Sequence, residues 1–406
     1  MSNPKVSAAT AYGFSVMFIY GVAVVMIGTL LPEMISDFDL SLSRGGLIVT
    51  LQSVGGLVVL GLGIGLADRL PKAVTILVSF GSLGILLLAT GLAWSYVILL
   101  AAFLLSGIAL RILDTMLNAF IGDIRVRRRG FYMNLLHMCF GIGAFCGPLF
   151  ASAVMATGGS WRSAYYVIAV VFGVAFIPGL FILRRFGSGG GADDDTAGGR
   201  DSTERDPVAR SDSTLVTRAG GGEILLAGSG LIPAGLGLFF YGMHQSGVTA
   251  WLPYYMGAAL GSAGAVASGA LSIYWAGIIL SRVSASRLSG VVGPGLLIMI
   301  GALSGGVFLG MGLLSSIPIV VMAACLLSGV LSGATIPLFL TLIHDRHPNN
   351  TGMTTAVLML FMLAGRLIAP WMMGAIADSG SPKGAMLVTV AASLLCGMMA
   401  AVSRRG

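Results

Sequence analysis

Residues 96–122 read YVILLAAFLLSGIALRILDTMLNAFIG, a run long and apolar enough to cross a bilayer, and they contain Arg111, Asp114 and Asn118. Spacings of three and four put these side chains on one face of a helix. A charge turned toward lipid tails costs at least about 2.5–3.5 kcal/mol on insertion scales, so this face must look toward protein or a wet cavity. A carboxyl group held there can take up and release a proton. The guanidinium one turn away favours the ionised carboxylate, while burial favours the neutral acid. The residues therefore allow two readings: Asp114 as a proton carrier, or Arg111 and Asp114 as a structural pair. Asp114 is the one acid of the chain that falls well inside an apolar run.

Other residues could share this chemistry. Arg366 is a second cation within an apolar run, with no acid nearby in its own helix, so it meets an anionic substrate or pairs across an interface. His137 and His244 can relay protons near neutral pH or serve as hydrogen-bonding packing residues. In GMHQSGVTAWLPYYM (242–256), Gln245 offers an amide, and Trp251, Tyr254 and Tyr255 offer flat apolar faces with polar edges. His344 and His347 stand in the charged stretch HDRHPNN, read as a solvated loop, and no metal site is expected. Cys139, Cys146, Cys325 and Cys396 form no metal-type spacing and read as packing thiols.

The elements that must position these groups are set by composition. The chain of 406 residues is 56% hydrophobic and only 10% charged, against about 25% charged in soluble domains. Sixty glycines suit helices that approach one another closely in lipid. Apolar runs of spanning length fall near 12–31, 45–66, 73–92, 96–121, 132–154, 163–183, 224–246, 262–281, 292–314, 318–341, 353–376 and 384–402. Met1 to Thr10 is short and polar, so the first run is expected to be a retained span. With twelve spans both termini share a side. The loops on that side hold most of the arginines and lysines, including RVRRRG (125–130) and Arg282, and the other side holds Arg44, Arg162 and Lys383. By the positive-inside rule both termini are cytoplasmic, in a multi-pass protein of the cell (inner) membrane. The net charge of +7 thus reflects topology and headgroup contact, and no nucleic acid is needed to explain it.

Residues 187–222 are rich in Gly, Asp, Ser and Arg and read as a flexible cytoplasmic linker. It separates an N-terminal six-helix bundle, 1–186, from a C-terminal one, 223–406. The bundles look related: Gly143, Pro148 and Gly158 recur as Gly365, Pro370 and Gly380, each displaced by 222 positions. Two such bundles facing each other enclose a cavity that can open to either side in turn. There is no Gly-Lys-Ser/Thr phosphate cradle, no His-Glu-x-x-His run and no Gly-x-Ser-x-Gly elbow, so the chain does not read as an enzyme or an ATP-driven pump.

Over essentially its whole length the sequence resembles the major facilitator superfamily. GLADRLPK (65–72), after the second run, is similar to that family's cytoplasmic signature, with Ile64 in place of the leading Gly and Pro71 in the Gly-Arg stretch. The resemblance implies that Asp68 and Arg69 form a conformational clamp. LDTMLNAF (113–120) and NLLHMCFGIGAFCGP (134–148) resemble the fucose–proton symporter and glucose-type branch. That likeness implies that Asp114 takes up the coupling proton and that Asn118 and Asn134 bind sugar hydroxyls. This chain departs from the branch in having no acid within its first run, with Glu33 only at the edge, and in carrying Arg111 beside Asp114.

The expectation is an all-α integral membrane protein, twelve transmembrane helices in two pseudo-symmetric six-helix bundles. It would be a monomeric secondary transporter of a small molecule, moving a sugar or similar polyhydroxyl solute with protons by alternating access. No cofactor is expected beyond a proton gradient, with sodium as the other candidate ion. The expected substrate-binding set is Asn118, Asn134, His137, Gln245, Trp251, Tyr255, Arg111 and Arg366. The alternatives are proton-driven export of amphiphilic compounds through a Met-rich cavity, import of an organic anion held by Arg111 and Arg366, and a non-transporting receptor of the same fold.

Overall fold

A computed structural model describes residues 4–62, 70–187 and 230–405. Every regular element among them is helical, so each backbone amide away from water bonds within its own segment. The first span is two helices, α1 (Pro4–Val25) and α2 (Ile27–Asp37), joined at Met26. Then follow α3 (Leu42–Leu62), α4 (Lys72–Gly91), α5 (Tyr96–Ile124), α6 (Arg129–Ala156) and α7 (Trp161–Gly187). The second bundle holds α8 (Leu231–Leu260), α9 (Gly264–Val292) and α10 (Pro294–Leu314). Its tenth span is split into α11 (Pro318–Ser332) and α12 (Thr335–His344), and α13 (Thr351–Asp378) and α14 (Pro382–Arg405) complete it.

Among the described residues, eleven segments are long and apolar enough to span. The remaining one, α8, is 30 residues long, and His244, Gln245 and Ser246 at its middle lower its hydropathy. The fold is thus an all-helical membrane protein of twelve spans in two pseudo-symmetric six-helix bundles.

Most helices run past their apolar cores, and one extension changes an assignment. The eighth apolar run, 262–281, which forms α9, is expected to end before Arg282, leaving that residue in a cytoplasmic loop. The helix continues to Val292, so Arg282 is helical, part-buried, and close enough to Tyr241 of α8 to interact with it electrostatically.

The repeat is visible in the backbone. Helices α6 and α13 begin and end 222 positions apart, each follows a three-residue 3-10 turn, and each contains its proline (Pro148, Pro370). Beyond each end Gly158 and Gly380 take positive φ of 82° and 90°, a conformation that glycine adopts without steric cost. The linker 187–222, apart from Gly187, lies outside the described residues.

The bundles meet along two seams, α3 against α13 and α6 against α9. Thr50 of α3 donates its hydroxyl to Leu367 O (2.9 Å), and Ser272 of α9 donates to Phe145 O (2.8 Å). These bonds are exchanged by the 222-residue repeat: Thr50 becomes Ser272, and Phe145 becomes Leu367. Gly46 and Gly374 let the α3 and α13 backbones touch, the first against Pro370 O and the second against Leu42 O. Gly28 of α2 likewise lies on Thr249 O of α8. All of these contacts belong to the half of the molecule opposite the chain ends, so that face is closed.

Candidate functional site

The polar face of α5 looks inward. Arg111 Nη1 stands 3.5 Å from Asp114 Oδ2, a single long contact between side chains that are 27% and 23% exposed. Asn118 Nδ2 donates to Asp114 O (2.7 Å) and to Asp114 Oδ1 (3.0 Å), so its amide hydrogens are engaged in orienting the carboxylate. Buried Arg111 Nε has no hydrogen-bond partner.

Four other elements converge on this face. Arg366 comes from α13, one turn before Pro370, and its stem packs on Gly242 of α8, where a Cβ would sit 3.3 Å from its Cγ. Arg366 and Tyr20 of α1 each lie near enough to Arg111 and Asp114 to interact with them electrostatically. The Tyr20 ring packs on Phe140 of α6 (5.5 Å between centroids), and Phe140 meets Trp275 of α9 edge-on (5.8 Å). His137, one turn before Phe140, is exposed, yet it interacts electrostatically with both Asp114 and Arg282. It therefore faces the cavity between the bundles. Trp275 Nε1 and Arg282 Nε are buried without hydrogen-bond partners.

The polar residues of α8 are held in packing. Gln245 is buried and donates to the Tyr241 hydroxyl (3.3 Å). Trp251 Nε1 donates to Pro370 O (2.9 Å), and the Tyr255 hydroxyl reaches Leu313 O (3.4 Å), both within the second bundle. His244 is fully buried, with Nδ1 2.9 Å from Thr389 O and Nε2 unpartnered. Asn134 is exposed near the start of α6. Asp68 and Arg69 lie outside the described residues. Glu33 accepts the Trp161 backbone N–H (2.9 Å), and Asp37 binds Arg162 (2.8 Å), so these acids anchor α7 at the closed face, away from the cavity.

The structure thus brings Arg111, Asp114, Asn118, His137 and Arg366 together, and adds Tyr20 and Arg282. Arg282 was missed because the charge itself marked the end of the apolar run. Tyr20 stood in an apolar segment with nothing to single it out. Among the described residues, the only ion pair made by the three arginines is Arg111–Asp114. Among the described residues, two guanidiniums, Arg111 and Arg366, thus stand near the one carboxylate, and Arg282 adds a third beyond His137.

A polar midplane site between two repeat-related bundles sealed on one face defines a secondary transporter that works by alternating access. The sequence profile described as Major Facilitator Superfamily matches residues 13–227 and 234–405, and the chain belongs to that family. No curated protein sequence matches the chain. Among solved structures it is similar to a bacterial homologue of the human lysosomal transporter Spinster, in an inward-facing and occupied conformation. That likeness has a TM-score of 0.73 at 15% identity, covering 100% of this chain and 98% of that one. The unoccupied inward-facing form of the same homologue gives 0.73 at 16%. A variant of the nucleoside transporter NupG gives 0.77 at 10% identity, covering 98% and 99% of the two chains.

Proposed function

We propose that this transporter moves a small organic anion, with Asp114 carrying the coupling proton. The observation behind this reading is the charge around the site: Arg111 and Arg366 stand near a single acid, Asp114, and Arg282 adds a third guanidinium on the far side of His137. Guanidiniums present planar, forked donors that match carboxylates. The amides that would bind a polyhydroxyl solute are largely engaged, Asn118 on Asp114 and Gln245 on Tyr241. Like-charge repulsion also weighs against amphiphilic cations as substrates.

In the proposed cycle, an anion entering from the open face competes with Asp114 for Arg111, whose contact with that acid is single and long. The displaced carboxylate takes a proton, and Asn118 holds it in place. With one proton and one monoanion bound, the cavity charge is unchanged, and the bundles can rock without carrying extra charge. Sidedness follows from the arginine distribution of the loops: both termini are cytoplasmic and the closed face is outward.

The test is uptake into proteoliposomes of labelled monocarboxylates, with and without an inward proton gradient, for wild type, Asp114→Asn and Arg366→Gln. Gradient-driven accumulation should vanish in Asp114→Asn while counterflow survives, and Arg366→Gln should weaken both at low substrate concentration. Accumulation of neutral hexose with no response to carboxylates would overturn the anion reading. It would favour sugar–proton symport, for which the exposed Asn134 and His137 are the available polar contacts.

A further inference from the structure

The two seams of the closed face are related by the repeat, but only one carries an acid. The carboxylate of Asp378, the last residue of α13, accepts the backbone N–H groups of Leu42 (2.7 Å, at Oδ1) and Ser43 (2.9 Å, at Oδ2) at the start of α3. Ser41 Oγ accepts Arg44 N–H (3.3 Å), and Ser41 O accepts Gly45 N–H (3.0 Å). The first three N–H groups of α3, which have no intrahelical carbonyl to bond, are thereby satisfied, two of them only through the opposite bundle, before the regular helical bonding begins at Gly45. The repeat places Ala156 at the position equivalent to Asp378, so the α6–α9 seam has no such grip. Gly374 lies one turn before Asp378 against Leu42 O, which brings the carboxylate within reach.

We propose that Asp378 is a one-sided latch between the bundles, a positioning residue of the transport cycle that holds the closed face shut. Parting α3 from α13 hands two helix-terminal N–H groups and a carboxylate to water. The carboxylate also meets the positive end of the α3 dipole, an attraction that fades once the helix withdraws. Loss of the latch shifts the conformers toward the state open on this face. The inference is independent of the substrate.

Hydrogen–deuterium exchange on the full chain in lipid nanodiscs tests it by comparing wild type, Asp378→Ala and Asp378→Asn. In Asp378→Ala, exchange is expected to rise about fivefold, the size of a lost helix cap. The rise should appear in residues 38–50 and also in the remote seam, 141–149 and 268–276, while the face carrying the termini becomes more protected. Asp378→Asn keeps one acceptor oxygen and should fall between. A change confined to residues 38–46 reduces Asp378 to a local cap and overturns the proposal. No change, or a rise spread over the whole chain, overturns it as well.

Discussion

At the scale of the residue, the cavity chemistry rests on a few charged groups whose environments differ. Arg366 has no acid within pairing distance among the described residues, so its fork is available to a ligand. Arg366→Gln should raise KM for a carboxylate about ten- to a hundredfold, the size of a lost charge-assisted hydrogen bond. Arg366→Lys, which keeps the charge but loses the fork, should fall between, as read from initial rates of uptake. Arg282→Gln is expected to weaken the same substrate without abolishing gradient coupling, since Arg282 touches neither Asp114 nor Asn118. The face bearing Arg111, Asp114 and Asn118 was legible in the sequence because three polar residues at helical spacing cannot face lipid. Arg282 was not, because a charge at the end of an apolar run looks the same whether the helix stops or continues. Trp251 and Tyr255 were singled out for their chemistry, yet each bonds a backbone carbonyl in the second bundle. Residue type does not say which side of a helix faces the cavity.

At the scale of the element, glycine decides how closely helices approach. A side chain at Gly46 or Gly374 would run into the partner backbone, which cannot move aside as a flexible side chain can. Gly46→Val and Gly374→Val should each destabilise the closed face by about 1–3 kcal/mol. Faster exchange in residues 42–50 is the readout. Gly257→Ala has open space around it and should leave exchange unchanged. The repeat was legible from three residues at one offset because Gly and Pro do backbone work that little else can do. The seam hydrogen bonds were not legible. Thr50 and Ser272 are ordinary hydroxyls in apolar helices, which often bond back to their own helix, as Thr90 does to Leu86 O (2.8 Å).

At the scale of the whole molecule, bundle architecture and cavity charge can be separated by ligand-dependent stability. A ligand that binds the folded state at a hundred times its Kd adds about 2.7 kcal/mol. A transported carboxylate should therefore raise the Tm of the detergent-solubilised protein, and a neutral hexose should not. Arg366→Gln should abolish the shift while the Tm without ligand stays near that of wild type. The seam between the bundles has a consequence for how such a protein tolerates change. In the Thr50–Leu367 and Ser272–Phe145 bonds, one partner is always a main-chain carbonyl, which no substitution can delete. Leu367 and Phe145 could mutate freely without removing the acceptor, and either hydroxyl could exchange between Ser and Thr. The docking surface is thus written largely in backbone, and the two halves of the chain can drift apart in sequence while still recognising each other.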